Sequence, residues 1–375
     1  MLRALGNIWH LGVKELRSLR TDPILIGLIL YTFTVAVYSV STGVRFEVER
    51  AAVAIVDEDR SGLSRRIAEA VQEPYFRPPQ LIAADAIDRV MDDGAYVFVL
   101  EIPPRFEADL LAGRRPALQI NIDATAMATA GNGATYLTSI IGTEILTWLG
   151  RSDAAKTLPA NVVVRARFNP NGQSAWFMAV MQVINNITIL AVILTGAALI
   201  REREHGTVEH LLVMPVAPLE IMLAKIWANG LVILVAASLS LSLVVQWLLG
   251  IPIAGSISLF ILGATIYMFS VAALGILIAT FSGSMPQFGL LSMPILIVLN
   301  LLSGSTTPLE SMPGWLQIAV QLSPATQFVA FSQGVLYRGA GLEIAWPYLL
   351  SLAGIGVGYF LIALLRFKRM LAQIN

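Results

Sequence analysis

The chain has 375 residues and not one cysteine, which excludes disulfides, thiolate catalysis and cysteine-ligated metals. Histidine is nearly as scarce, with only His10, His205 and His210. His205 and His210 stand five apart, not the four that put two ligands on one helix face, and no His-Glu-x-x-His pattern occurs. No metal site is therefore expected. Charge is the third scarcity. Asp, Glu, Lys and Arg make up 13% of the residues, about half the 25% typical of soluble domains. Positive and negative groups balance at 25 each, which argues against nucleic acid as a partner.

No nucleotide-binding motif is present. Gly150 to Thr157 nearly spells a phosphate-binding loop, but Ala155 stands where the second glycine belongs, and the stretch follows a helical pattern rather than a strand. A surface loop is the expectation. With no nucleophile beside a base and no nucleotide site, the chain has no catalytic residues and no energy source of its own.

What the chain has in abundance is apolar sequence, 56% hydrophobic in all. Residues 226–309 contain no formal charge whatever. At about 1.5 Å per helical residue a span needs roughly 20 residues, so that stretch holds three. The breaks fall at Gly250–Ser256 and Ser282–Pro286. The expected organisation is a polytopic α-helical membrane protein with six spans, at 23–44, 173–200, 226–250, 257–281, 287–303 and 344–365. An amphipathic interfacial helix, 1–22, precedes them, with Leu2, Leu5, Ile8, Trp9, Val13 and Leu16 on its apolar face. Asp22 and Pro23 suit the N-cap and N1 positions of the first span, read as a signal anchor.

Between the first two spans, residues 45–172 have soluble α/β composition. Strands are expected at Ala51–Val56, Tyr96–Ile102, Leu118–Ile122 and Val162–Phe168, with helices at Leu63–Val71, Ala84–Met91, Pro104–Leu111 and around Ala134–Leu149. Residues 304–343, richer in Pro, Gly and Ser, suit short re-entrant or interfacial helices. Residues 366–375 form a basic tail. No internal repeat is evident.

Basic residues set the orientation. Arg3, Lys14, Arg17, Arg20, Arg201, Arg203, Lys225, Arg366, Lys368 and Arg369 flank the spans on one side, against Arg338 alone among the short connections opposite. Both termini are expected in the cytoplasm and the α/β domain outside it. No expected span core carries an ionisable group, which disfavours ion-coupled carriers and intramembrane proteases.

One polar stretch interrupts the apolar run: Arg201, Glu202, Arg203, Glu204, His205, Gly206, Thr207, Val208, Glu209, His210, Leu211, Leu212, Val213, Met214 and Pro215, leading on to Lys225. A charge at a helix centre costs roughly 2.5–3.5 kcal/mol, so this segment leaves the bilayer. Thr207 suits a helix cap, Glu209 its first turn, and Val208, Leu211 and Leu212 one apolar face. Pro215 stops that helix and Pro218 suits N1 of the next. A partner-docking surface is one reading; an ordinary charged flank is the other. Polar groups within the spans are few. Gln182, Asn185, Asn186 and Asn300, with Phe288 and Met293, either line a pathway for an amphipathic substrate or bond neighbouring helices.

The stretch from Arg201 to Pro215, with Glu220 and Lys225, resembles the cytoplasmic loop of ABC-2 type transporter permeases. Ser303, Gly304, Pro308, Met312, Pro313, Trp315, Leu316, Leu322, Pro324 and Thr326 resemble that family's pattern after the fifth span. The layout is similar too, closest to the bacterial inner-membrane subgroup often described as multidrug or antibiotic exporters. The resemblance implies a homo- or heterodimer of permeases in the inner membrane. It also implies a separate cytoplasmic ATPase subunit that binds ATP and magnesium, and often a periplasmic adaptor protein. A membrane anchor that transmits ATP-driven motion to an outer partner, without flux, is the alternative.

Overall fold

The structure is a computed structural model describing residues 2–43, 50–93, 95–123, 127–150, 173–204, 206, 216–307 and 309–372. The chain divides into two compact units, Met1–Gly43 with Ala175–Asn375, and Val44–Ser174.

In the first unit, helix α1 runs Leu2–Thr21. The Asp22 carboxylate then accepts the Ile24 and Leu25 N–H groups at 3.1 Å each, and Pro23 opens the next helix. That helix, α2, covers Pro23–Gly43 with a π-helical stretch at Thr32–Ala36. The face of α1 turned to the protein differs from its most apolar stripe. Gly12 and Leu19 are buried, whereas Leu5 and Trp9 are exposed.

The second unit is α/β. Its strands are β1 Val53–Asp57, β2 Gln80–Leu81, β3 Phe98–Ile102 and β4 Gln119–Ile122. They lie in the order β2-β1-β3-β4, with β4 antiparallel to β3 and the other pairs parallel. Helices α3 Gly62–Ala70, α4 Ile87–Asp92, α5 Phe106–Leu111 and α6 Met127–Trp148 accompany them. Side chains alternate across β1. Val53 and Ile55 meet Leu63 and Ile67 of α3 and Leu137 and Ile141 of α6, while Ala54 and Val56 meet Ile87 and Val90. A central parallel strand covered on both faces reads as a continuous apolar run. The strand expected at Val162–Phe168 and the Gly150–Thr157 loop lie largely outside the described residues.

The first unit resumes with α7 Ser174–Glu204, α8 Pro218–Leu248, α9 Ile257–Phe281, α10 Met285–Leu301, α11 Gly314–Val320, α12 Pro324–Ser332 and α13 Leu342–Ala372. Among the described residues, five helices are long and apolar enough to span a membrane: α2, α7, α8, α9 and α13. The expected fifth span corresponds to α10, an apolar helix of 17 residues, shorter than the other five. Pro at its first turn sets the start, and Gly304 at φ +87° follows the end.

Helix α12, in the stretch expected to form re-entrant or interfacial helices, is built into the bundle. Phe328 stacks on Tyr267 of α9 at 4.2 Å, and Phe331 covers Gly263, where a Cβ would meet the ring at 2.2 Å. Both helices bounding the polar stretch absorb part of it: α7 continues through Glu204 and α8 begins at Pro218. Residues 366–372, expected as a tail, continue α13.

Candidate functional site

Because α7 continues through Glu204, the side chains of Arg201 to Glu204 leave one helical turn in different directions. Each reaches a different neighbour. Arg201 Nη1 lies 3.4 Å from Asp22, the cap of α2. Glu202 pairs with Lys225 of α8 at 2.9 Å and with Lys14 of α1 at 3.4 Å. Arg203 Nη1 donates to the Ser282 carbonyl at the end of α9, 2.9 Å away. Glu204 accepts the Met285 N–H at the start of α10, at 2.8 Å. For Arg203 and Glu204 the signs match the helix ends they meet, a cation at a C-terminus and an anion at an N-terminus. One turn of α7 thus contacts five other helices, three of them at an end.

Lys225 is the centre of this ring. It sits in the second turn of α8 and is 2% exposed, so the helix carries a buried cation that a span beginning at 226 excludes. Its Nζ donates to Glu15 of α1 at 2.9 Å and to the Ala198 carbonyl at 3.3 Å, and it pairs with Glu202. Lys14, Glu202, Lys225 and Glu15 form a balanced chain of two cations and two anions. A buried charge is tolerable only with such partners.

Further contacts fix α1 against α8. Glu220 accepts the Ala217 N–H at 3.1 Å and the Asn7 amide at 3.0 Å. The Trp227 indole donates to the Ile8 carbonyl at 3.1 Å and stacks on Trp9 at 5.3 Å. Gly12 lies under the Trp227 ring, where a Cβ would come within 2.1 Å. Sequence reasoning missed the part played by Glu15, although it is the lone acid of α1 among Arg3, Lys14, Arg17 and Arg20. Its isolation was the available signal.

Of the remaining loop candidates, Gly206 has φ +68° and its N–H bonds the Arg203 carbonyl at 3.2 Å, an α7 terminus that favours glycine. His205, Thr207, Val208, Glu209, Leu211, Leu212 and Pro215 lie outside the described residues.

The candidate pathway residues divide. Gln182 donates to Asn186 at 2.9 Å, and Asn186 donates to the Thr32 carbonyl of α2 at 2.6 Å. Ser240, where α8 turns π-helical, donates to the Phe33 carbonyl at 2.5 Å. The π-helical stretch of α2 thus has two successive carbonyls capped by neighbouring helices, and Asn186, 3% exposed, bonds helices together. Phe288 is also internal, its ring filling the space over Gly196. Asn185 accepts from Ser305 at 3.3 Å and faces, with Thr188, Asn300 and Ser303, a small cavity between α7, α10 and α12. Met293 projects from the exposed face of α10 at 62% exposure.

The outer motif is a series of turns. Ser303 donates to the Asn300 carbonyl at 2.8 Å, and Gly304 follows with its positive φ. The Pro313 carbonyl accepts the Leu316 and Gln317 N–H groups as α11 starts. Met312 is buried, Trp315 is exposed, and Pro324 opens α12. Pro308 lies outside the described residues.

Comparison with known proteins agrees with this architecture. A family model described as "ABC-2 family transporter protein" matches residues 23–365. The chain is 50% identical over 368 residues to the inner membrane transport permease YhhJ of Escherichia coli (strain K12), covering 98% of each chain. It is 28% identical over 349 residues to the probable multidrug ABC transporter permease YbhR of the same strain, covering 91% of this chain and 92% of the relative. Against YbhS, also named a probable multidrug ABC transporter permease, identity is 25% over 338 residues, 88% of each. With its apolar helices, its helix-end ring and a family match over nearly its whole length, the chain belongs to the ABC-2 transporter family as a multi-pass membrane permease.

Proposed function

We propose that this chain is the transmembrane subunit of an ATP-driven exporter, coupled through residues 201–217 to a separate cytoplasmic ATPase that binds ATP and magnesium. Permeases of this family work with ABC ATPase partners in general. The observation that carries the reading here is the ring of contacts from Arg201, Glu202, Arg203 and Glu204 to α1, α2, α8, α9 and α10. A force applied to the segment between α7 and α8 reaches five helices through one turn.

In this reading the helix-end ring, both termini and the basic residues face the cytoplasm, and the α/β unit is periplasmic. Val208, Leu211 and Leu212 form the face that enters a groove on the ATPase. Two permeases, identical or different, pair along the exposed apolar faces of α2 and α10, where Ile24, Leu30, Leu290, Met293 and Ile297 are uncovered. The conduit runs along that interface past Met293, Asn185 and Asn300, for a hydrophobic or amphipathic substrate. A periplasmic adaptor joins through the α/β unit.

The experiment is ATP-dependent uptake of an amphipathic fluorescent dye into inverted inner-membrane vesicles containing permease and ATPase. Uptake that stops when the ATPase is inactivated is expected. ATP hydrolysis with no uptake of any dye or lipid probe would favour the anchor reading.

A further inference from the structure

The cations at and beside the helix-end ring are not all neutralised. Arg201, Lys14 and Lys225 each face a carboxylate. Arg203 and Arg366 do not: among the described residues Arg203 bonds only the Ser282 carbonyl, and Arg366 lies over the Phe281 ring at 4.4 Å. Both line one pocket of about 290 Å³ at the α9–α10 turn, together with Phe281, Ser282, Gly283 and Gln287. Among the described residues, no acidic side chain lines it. A guanidinium carries five N–H donors, so each arginine keeps most of its donors unused.

The pocket's place in the fold narrows the ligand. Phe281 is the last residue of α9, a helix of 25 residues without a charge, and its ring is exposed. The pocket therefore opens where an apolar span stops, at the depth of lipid headgroups. A pair of arginines beside an exposed aromatic suits an anionic oxygen cluster with an apolar attachment, because guanidinium forks match phosphate oxygens two at a time. Basic pockets between spanning helices hold anionic headgroups in this way.

We propose that the Arg203–Arg366 pocket binds a phosphate group, carried by an anionic phospholipid whose chains lie along α9 and α13. The inference does not depend on transport. It rests only on the chain being embedded in a membrane.

The test uses the full chain, purified in detergent without any ATPase, and follows thermal unfolding and native mass spectrometry while phosphatidylglycerol is titrated in. Phosphatidylcholine supplies a neutral headgroup, and inorganic phosphate supplies the free anion. Phosphatidylglycerol is expected to bind and raise the unfolding temperature where phosphatidylcholine does not. Loss of one bidentate contact in Arg366→Gln weakens that binding about tenfold. Arg369→Gln, a basic residue outside the pocket lining, leaves it within about twofold. Arg203 also holds the end of α9, so Arg366, exposed and outside the ring, is the decisive position. Equal binding of phosphatidylglycerol by wild type and Arg366→Gln, or equal shifts with phosphatidylcholine, overturns the proposal. A full shift with inorganic phosphate alone keeps the phosphate site and overturns its assignment to a lipid.

Discussion

Lys225 of α8 and Glu202 of α7 meet at 2.9 Å, both nearly out of contact with solvent. Glu15 reaches the same ammonium from α1, so three helices share one buried charge. Removing one member of a buried ion pair costs about 3–5 kcal/mol, because the rest stay buried without a partner. Lys225→Ala should destabilise the detergent-solubilised protein by that order in chemical or thermal unfolding. Lys225→Met combined with Glu15→Gln and Glu202→Gln should recover much of the loss. An Ala variant as stable as wild type would show that the ring does not hold these helices.

Asn186 and Ser240 both serve the π-helical stretch of α2. Leaving a buried carbonyl without a donor costs about 1–3 kcal/mol. Asn186→Leu is expected to lower the unfolding temperature clearly, and Asn185→Leu to do so less, since Asn185 keeps only a 3.3 Å contact to Ser305. The two should also separate in dye uptake, Asn185→Leu changing transport more than stability. A reversed order would return Asn186 to the pathway.

Gly12 of α1 lies directly under the Trp227 ring of α8. The Trp227 ring above it is fixed by the Ile8 carbonyl and by Trp9, so it cannot swing aside cheaply. Gly12→Leu should cost about 1–3 kcal/mol by overpacking and loosen α1. Shortening the neighbour as well, in Gly12→Leu with Trp227→Leu, should relieve part of that loss. Strict additivity in the double-mutant cycle would argue against the contact.

Glu204 and Arg203 complement the ends of α10 and α9. Reversing the charge at Glu204 should weaken the first turn of α10 by about 0.3–1 kcal/mol, with faster amide exchange at Met285 and its neighbours. Unchanged exchange there would separate Glu204 from α10.

Much of the helical unit was legible because apolar runs bounded by Pro, Gly and charge leave few alternatives. Asp22 and Pro23 announced the start of α2, and Pro218 that of α8. The inward direction of Arg201 to Glu204 was not legible. A run of alternating charges fits a docking surface or a solvated flank alike, and only the continuation of α7 through Glu204 turns its four side chains toward five neighbouring helices. Nor could composition show that α1 packs through Gly12 and Leu19 while Trp9 stays exposed; the glycine contributes nothing to an apolar stripe yet makes room for the Trp227 ring. In the α/β unit, β1 and β3 stood out as apolar runs. The two residues of β2 follow Pro78 and Pro79 and are too short for any alternation to register. The short apolar run of α12 left a re-entrant and an interfacial placement both open, and Phe328 and Phe331 insert it among the long helices.

The central claim is that the segment between α7 and α8 docks the ATPase while the ring passes its motion to the spans. Co-purification of the ATPase with the permease, before and after Leu211→Asp with Leu212→Asp, tests it most directly, because neither leucine belongs to the ring. A correctly folded permease that has lost its ATPase and the associated hydrolysis is expected. A doubly substituted permease that retains the ATPase at wild-type stoichiometry, with wild-type hydrolysis, would contradict it.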